Sequence, residues 1–239
     1  MNSINGLTYG VTFGDKHSIK DWGVYLKSRP IISPPDPKTA YADIPGFDGS
    51  IDLTESASGR VSYDNRKLQC EFVVMDGRER WPTIYSTILN YLHGQLMKVI
   101  FDEDPSYYYE GRFEIDKWQS NGFNSTIVIT GNVKPYKTEI TDSTEKWLWD
   151  PFNFETGIIR EYADLAVDGT LQVTVLGSRL ISIPLITTSS IMTVTFNGQI
   201  YNLVKGENEI PEIQIEDGEN ILIFKGLGTV SIKYRGGSL

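Results

Sequence analysis

Four carboxylates, Asp43, Asp48, Asp52 and Glu55, crowd with Pro45, Gly46 and Gly49 into the stretch ADIPGFDGSIDLTES, residues 42–56. Acidic residues at alternate positions are what a calcium loop requires. A loop counted from Asp48 finds oxygens at Ser50 and Asp52, but it has Leu53 where glycine is needed and Gly59 where a bidentate glutamate is needed. A second acidic group, Asp102, Glu103 and Asp104, runs into Pro105 and reads as a solvated turn. Neither phosphate-loop pattern occurs. Gly226-Leu227-Gly228 is followed by Ser231 instead of a third glycine, and it lies between apolar runs instead of opening a helix.

Proton transfer most often uses histidine, and the chain has only His17 and His93. Neither belongs to a nucleophile elbow or a zinc-type histidine pair. Cys70, the single cysteine, sits inside LQCEFVVM and reads as a buried, inert thiol. Asn124-Ser125-Thr126 has the form of a glycosylation sequon, but the opening MNSINGLTYGVTFGDKHS has no basic or apolar leader region, so it reads as a chance match. The expectation is no catalytic, cofactor-binding or metal-ligating residue, no cofactor, and no enzyme activity.

These groups sit in a chain of 239 residues with 40% hydrophobic and 22% charged residues, enough to bury a sizeable core. A net charge of −9 argues against gripping nucleic acid, which needs clustered cations. No apolar run is long enough for a membrane span.

The apolar patterning predicts a mainly β protein. In the first half, residues 23–27, 50–54, 67–75, 111–117 and 125–131 read as strands. Residues 31–46, with Pro34, Pro35, Pro37 and Pro45, read as an extended arm or long loop, and residues 42–56 as a glycine-dependent corner at its end. One amphipathic helix is expected between Trp81 and Gly94. Pro82 marks its start, Ile84, Ile88 and Leu92 form its stripe, and Tyr85 and Leu89 widen that stripe. His93 falls in its last turn, where a cation suits the helix dipole.

A polar shift at residues 135–150 marks the domain boundary. After it, residues 169–176, 180–184, 191–197, 199–204, 210–215, 220–225 and 229–234 read as strands of a β-sandwich, with Asn197-Gly198 the strongest hairpin signal. Trp81, Trp118, Trp147 and Trp149 are assigned to core or interface.

The first half also carries an ordered series of motifs: YADIPGFDGSIDLT (41–54), YDNRKL (63–68), LHG (92–94) and DEDPSYYYEGR (102–112). This series resembles the distal tail proteins of long-tailed, non-contractile bacteriophages and related prophages. GSR (177–179), VTFNGQIYNL (194–203), GENEIP (206–211), DGENIL (217–222) and GLGTVSIKY (226–234) resemble the C-terminal galectin-like β-sandwich of the same family. The resemblance implies a virion structural protein with a ring-forming domain at 1–137 and a galectin-like domain at 138–239. It further implies a homohexameric ring, assembled in the host bacterial cytoplasm, joining the tail tube to the tail-tip or baseplate proteins. The tape-measure protein and DNA would pass through the lumen, where an acidic wall repels DNA instead of retaining it.

The alternative expectation is a carbohydrate-binding module that contacts host envelope saccharide. Galectin-type sugar sites resemble one another in an H-x-N-P-R run and a W-x-x-E pair. Here both histidines precede Pro135 and no W-x-x-E follows residue 150. The galectin-like fold is therefore expected without that sugar site.

Overall fold

The computed structural model describes residues 10–56, 58–145 and 160–239. The chain divides into two compact units, Met1–Asp104 with Tyr109–Pro135, and Pro105–Tyr108 with Tyr136–Leu239. Both are built almost entirely of antiparallel strands, as the patterning predicts.

In chain order the first unit holds β1 (Val11–Phe13), β2 (Lys16–His17), β3 (Val24–Leu26), β4 (Ile31–Ile32), β5 (Pro37–Lys38), β6 (Tyr41–Asp43), β7 (Ser50–Asp52), β8 (Ser62–Tyr63) and β9 (Arg66–Val74). These are followed by α1 (Trp81–Leu92), β10 (Gln95–Phe101), β11 (Tyr107–Ser120) and β12 (Ser125–Val133). The main sheet runs β2-β1-β10-β11-β12-β9-β3, with β4 also on β9. Strands β1 and β10 went unpredicted. The first is only three residues long, and QLMKVIF in the second follows the helix too closely to announce a new period.

The helix forms where expected, with Pro82 in its first turn and Gly94, at φ 76°, just beyond its end. It buries Trp81, Ile84, Ile88 and Leu92, while Tyr85 and Leu89 lie half-buried against the same core. His93 does not act there as a dipole cation. Its Nδ1 accepts the Ile115 backbone N–H at 3.1 Å, because the helix end docks on β11 and that nitrogen meets a donor.

A β-bulge then decides where Trp118 points. On β11, Phe113 and Ile115 face the core, so strict alternation would send Trp118 to the other face. The register slips between Ile115 and Lys117, and Trp118 turns back to stack on Tyr85 of the helix, centroids 4.4 Å apart.

The second unit contains β13 (Lys137–Glu139), β14 (Leu165–Gly177), β15 (Leu185–Thr188), β16 (Met192–Phe196), β17 (Gln199–Leu203), β18 (Gly206–Glu209), β19 (Gly218–Lys233) and β20 (Gly237–Ser238). Its larger sheet is ordered β17-β16-β19-β15-β18, with β14 also on β19. The stretch at 226–228, expected as a turn between two strands, is a bend inside the single 16-residue strand β19. Leu222, Phe224, Val230 and Ile232 all face one core, so the sheet curls around it. Gly226 must be glycine: its φ is 155°, and a Cβ there would lie 2.6 Å from Met192 Cβ. Asn197 and Gly198 both take positive φ, 48° and 78°, as the expected hairpin demands. Residues 180–184 and 210–215, expected as strands, meet instead in one isolated bridge, Ser182 with Ile215. Trp147 and Trp149 lie outside the described residues.

The two Gly-Glu-Asn sequences open strands β18 and β19. Each asparagine closes the loop before it in the same way. Asn208 Nδ2 donates to the Ile186, Val204 and Gly206 carbonyls, and its Oδ1 accepts the Val204 N–H. Asn220 Nδ2 donates to Val175, Glu216 and Gly218, and its Oδ1 accepts from Glu216. Both side chains are buried, so losing either strands several backbone groups. Asn220→Ala should cost about 3 kcal/mol, read as a lowered urea midpoint by circular dichroism; a midpoint equal to that of the parent would refute this role.

Candidate interaction surface

Several of the residues weighed for chemistry make contacts within the first unit. His17 Nδ1 accepts the Ile19 and Lys20 N–H groups at 3.1 and 3.2 Å, which leaves Nε2 to donate to Asp102 Oδ2 at 3.1 Å. Asp102 Oδ2 also accepts the Gly10 N–H at 2.7 Å, so the pair pins the start of β1. Cys70 is buried, and desolvation pushes its thiol far above the usual range, which removes the thiolate that nucleophilic work needs. No cluster of three or more His, Cys, Asp or Glu with metal-holding geometry occurs among the described residues. Ser125 of the sequon is fully buried and accepts the Trp118 indole N–H at 2.7 Å.

The carboxylate-rich stretch is the end of an arm. Leaving the sheet at the β4–β9 rungs Ile31↔Gln69 and Ile32↔Leu68, the two chain segments continue as a ribbon through Pro37↔Tyr63 and Lys38↔Ser62. One register spans both ladders, each step along one strand matched by a step back on the other. Pro34 and Pro35 interrupt the rungs, since proline lacks an N–H. Ser33 N–H to Lys67 O at 3.0 Å and Asp64 N–H to Asp36 O at 2.9 Å keep the segments together.

The register then shifts to Tyr41↔Asp52, Ala42↔Ile51 and Asp43↔Ser50. Gly46 and Gly49, both at φ 83°, turn the tip. The corner expected from sequence is thus a hairpin tip, and its second strand lies exposed on the arm, outside the core sheet. Asp43 accepts from Ser50 Oγ at 2.5 Å. Asp52 accepts the Thr54 N–H at 2.9 Å, and its bonds from Thr54 hold its carboxyl below the usual range.

Alternation sorts the ribbon into two faces. Tyr41, Asp43, Ser50 and Asp52 share one; Ala42 and Ile51 share the other, joined by Leu53 and Ala40, whose backbones hydrogen-bond at 2.8 Å. Ile44 and Phe47 extend the apolar character to the tip. Phe47 is 59% exposed, Ile44 48% and Leu53 42%. A sheet strand normally turns such a face onto a core, but a two-stranded ribbon has none. Apolar residues collected on one projecting element are the mark of a partner surface. The sequence signal was present in the alternation YAD and SID across the glycine turn; its exposure was not.

The chain matches no protein-family model, and no curated protein matches its sequence. Among solved structures it is similar to the crystal structure of the Dit protein (gp 19.1) of phage SPP1, described as a paradigm of the hub adsorption apparatus in phages that infect Gram-positive bacteria. The TM-score is 0.59 at 13% sequence identity, over 97% of this chain and all of that one. At this identity the likeness establishes a shared fold.

Because the arm joins the sheet at its root rungs and exposes its aromatic and aliphatic side chains, limited chymotrypsin treatment should cut early at Tyr41, Phe47 or Leu53, with exposed Phe123 between β11 and β12 the competing site. A first cut inside α1 or inside a strand of the main sheet would contradict the exposed arm.

Proposed function

We propose that this chain is a structural component of a bacteriophage tail, a distal tail protein, and no enzyme. In this reading the first domain, residues 1–137, self-associates into a hexameric ring between the tail tube and the tail-tip or baseplate proteins. The second domain, residues 138–239, is a galectin-like β-sandwich. The observation that carries the reading is the arm: its apolar face has no core to cover and must find one on another chain. The likeness of the whole chain to a phage hub protein supports the tail setting.

Ring closure suits this geometry. A projecting element that docks on a different surface of the next copy makes a heterologous contact, and heterologous contacts form a ring when the rotation between copies closes. The tape-measure protein and DNA would then pass through the lumen without specific binding, as the excess of acidic residues favours. Among the described residues of the second unit, Phe196, Phe224 and Tyr234 are buried and unavailable for stacking on a sugar, and Tyr201 is half-buried.

Light scattering coupled to gel filtration should give a mass near six chains of 26.9 kDa, about 161 kDa. The double variant Ile44→Ser/Phe47→Ser should run at a lower mass with its far-ultraviolet circular dichroism unchanged, because these side chains lie outside the core. A monomeric parent protein at every concentration tested would sink the self-association reading.

A further inference from the structure

Strand β9 turns Arg66, Leu68, Cys70, Phe72 and Val74 to the interior. The alternation that fills the core with apolar side chains therefore ends on an arginine, at the last rung of the β9–β12 ladder, Val133↔Arg66. Arg66 is only 6% exposed. Its guanidinium lies 4.9 Å from the centroid of the Tyr109 ring, and its Nε and one terminal nitrogen are buried with no acceptor among the described residues. A ring face compensates part of the lost hydration, but unmade hydrogen bonds on a desolvated cation remain costly. A methionine of similar length would avoid that cost.

The arm holds the complementary excess. Asp43, Asp48, Asp52 and Glu55 are exposed near its tip and form no ion pair among the described residues, whereas Lys38 and Asp64 pair nearer the root. The tip cannot serve its own arginine. From Ile31 to Asp43 an extended ribbon spans up to about 40 Å at ~3.3 Å per residue. Arg66 sits at the root, where exposed Ile31 offers an apolar landing on nearby rungs.

We propose that Arg66 receives a tip carboxylate from the arm of a second copy of this chain, which completes the hydrogen bonds of its guanidinium when the subunits associate. This inference rests on the self-association reading above. Arg66 Nε and one terminal nitrogen are closed to solvent in the isolated subunit, so the guanidinium must turn outward on association. A bidentate carboxylate then supplies the two oxygens that the planar fork lacks. The pair also fixes how far each arm reaches, since only a correctly seated tip brings its carboxylate to the arginine.

The test compares the association of four proteins by sedimentation across a concentration series: the parent, Arg66→Met, the tip variant Asp43→Asn/Asp48→Asn/Asp52→Asn/Glu55→Gln, and the two combined. Each of the first two variants should raise the dissociation constant about 30-fold or more. The combination should be no worse than either, because partners in one interaction do not add. Arg66→Met should leave the thermal midpoint of the subunit unchanged or higher. If it does not fold, Arg66→Lys takes its place, and the exposed tip variant stands regardless. Association of Arg66→Met equal to the parent, or losses that multiply in the combined variant, would overturn the pairing alone. A parent that never associates would overturn both readings.

Discussion

Phe13, Phe72 and Phe113 meet at the centre of the first unit, with Phe13 centroids 6.1 and 5.6 Å from the other two rings and both pairs edge to face. They come from β1, β9 and β11, strands distant in sequence, and all three are fully buried beneath the helix. Aromatic rings locked edge to face tolerate little rotation or slip. Once Phe72 is fixed inward, every second residue of β9 is fixed with it, back through Leu68 to Arg66. The same strand carries the ladder on which β4 seats the arm. The core thus sets the register of the arm and the direction its root leaves the sheet.

The arm itself obeys a different constraint. Rungs of a two-stranded ribbon satisfy backbone groups but enclose no volume, so the apolar face formed by Ala42, Ile51 and Leu53 stays in water. This face stays unburied, and the carboxylates on the opposite side and tip form no ion pair among the described residues. That combination favours a partner over self-burial. The acidic flank also discourages the face-to-face aggregation that exposed ribbons invite.

The second unit solves its packing problem locally. Gly226 lets one continuous strand bend over a single core, and Asn208 and Asn220 tie down the loops leading into β18 and β19 with the same set of hydrogen bonds. Repeating Gly-Glu-Asn twelve residues apart thus repeats a small structural device. No metal-holding cluster of three or more His, Cys, Asp or Glu accompanies it among the described residues, while in the first unit His17 and His93 accept backbone N–H groups and Cys70 is buried.

Much of this was legible in the sequence, because the relevant forces act between near neighbours. Pro82, the Ile84–Ile88–Leu92 stripe and Gly94 specify α1 from within it. Asn197-Gly198 specifies its hairpin through the positive φ that both residues accept. What only the tertiary structure decided depends on distant partners. The β11 bulge turns Trp118 toward the ring of Tyr85, a partner on the helix that the local sequence of β11 does not contain. His93 became an acceptor because Ile115 arrives beside it. The glycines of 226–228 bend a strand where local preference suggests a turn, because β14 runs alongside without a break. The stretch ADIPGFDGSIDLTES announced its turn through Gly46 and Gly49. Whether its alternating strand would lie on a core or project into solvent was settled by where β9 anchors the arm, a contact that residues 42–56 do not contain.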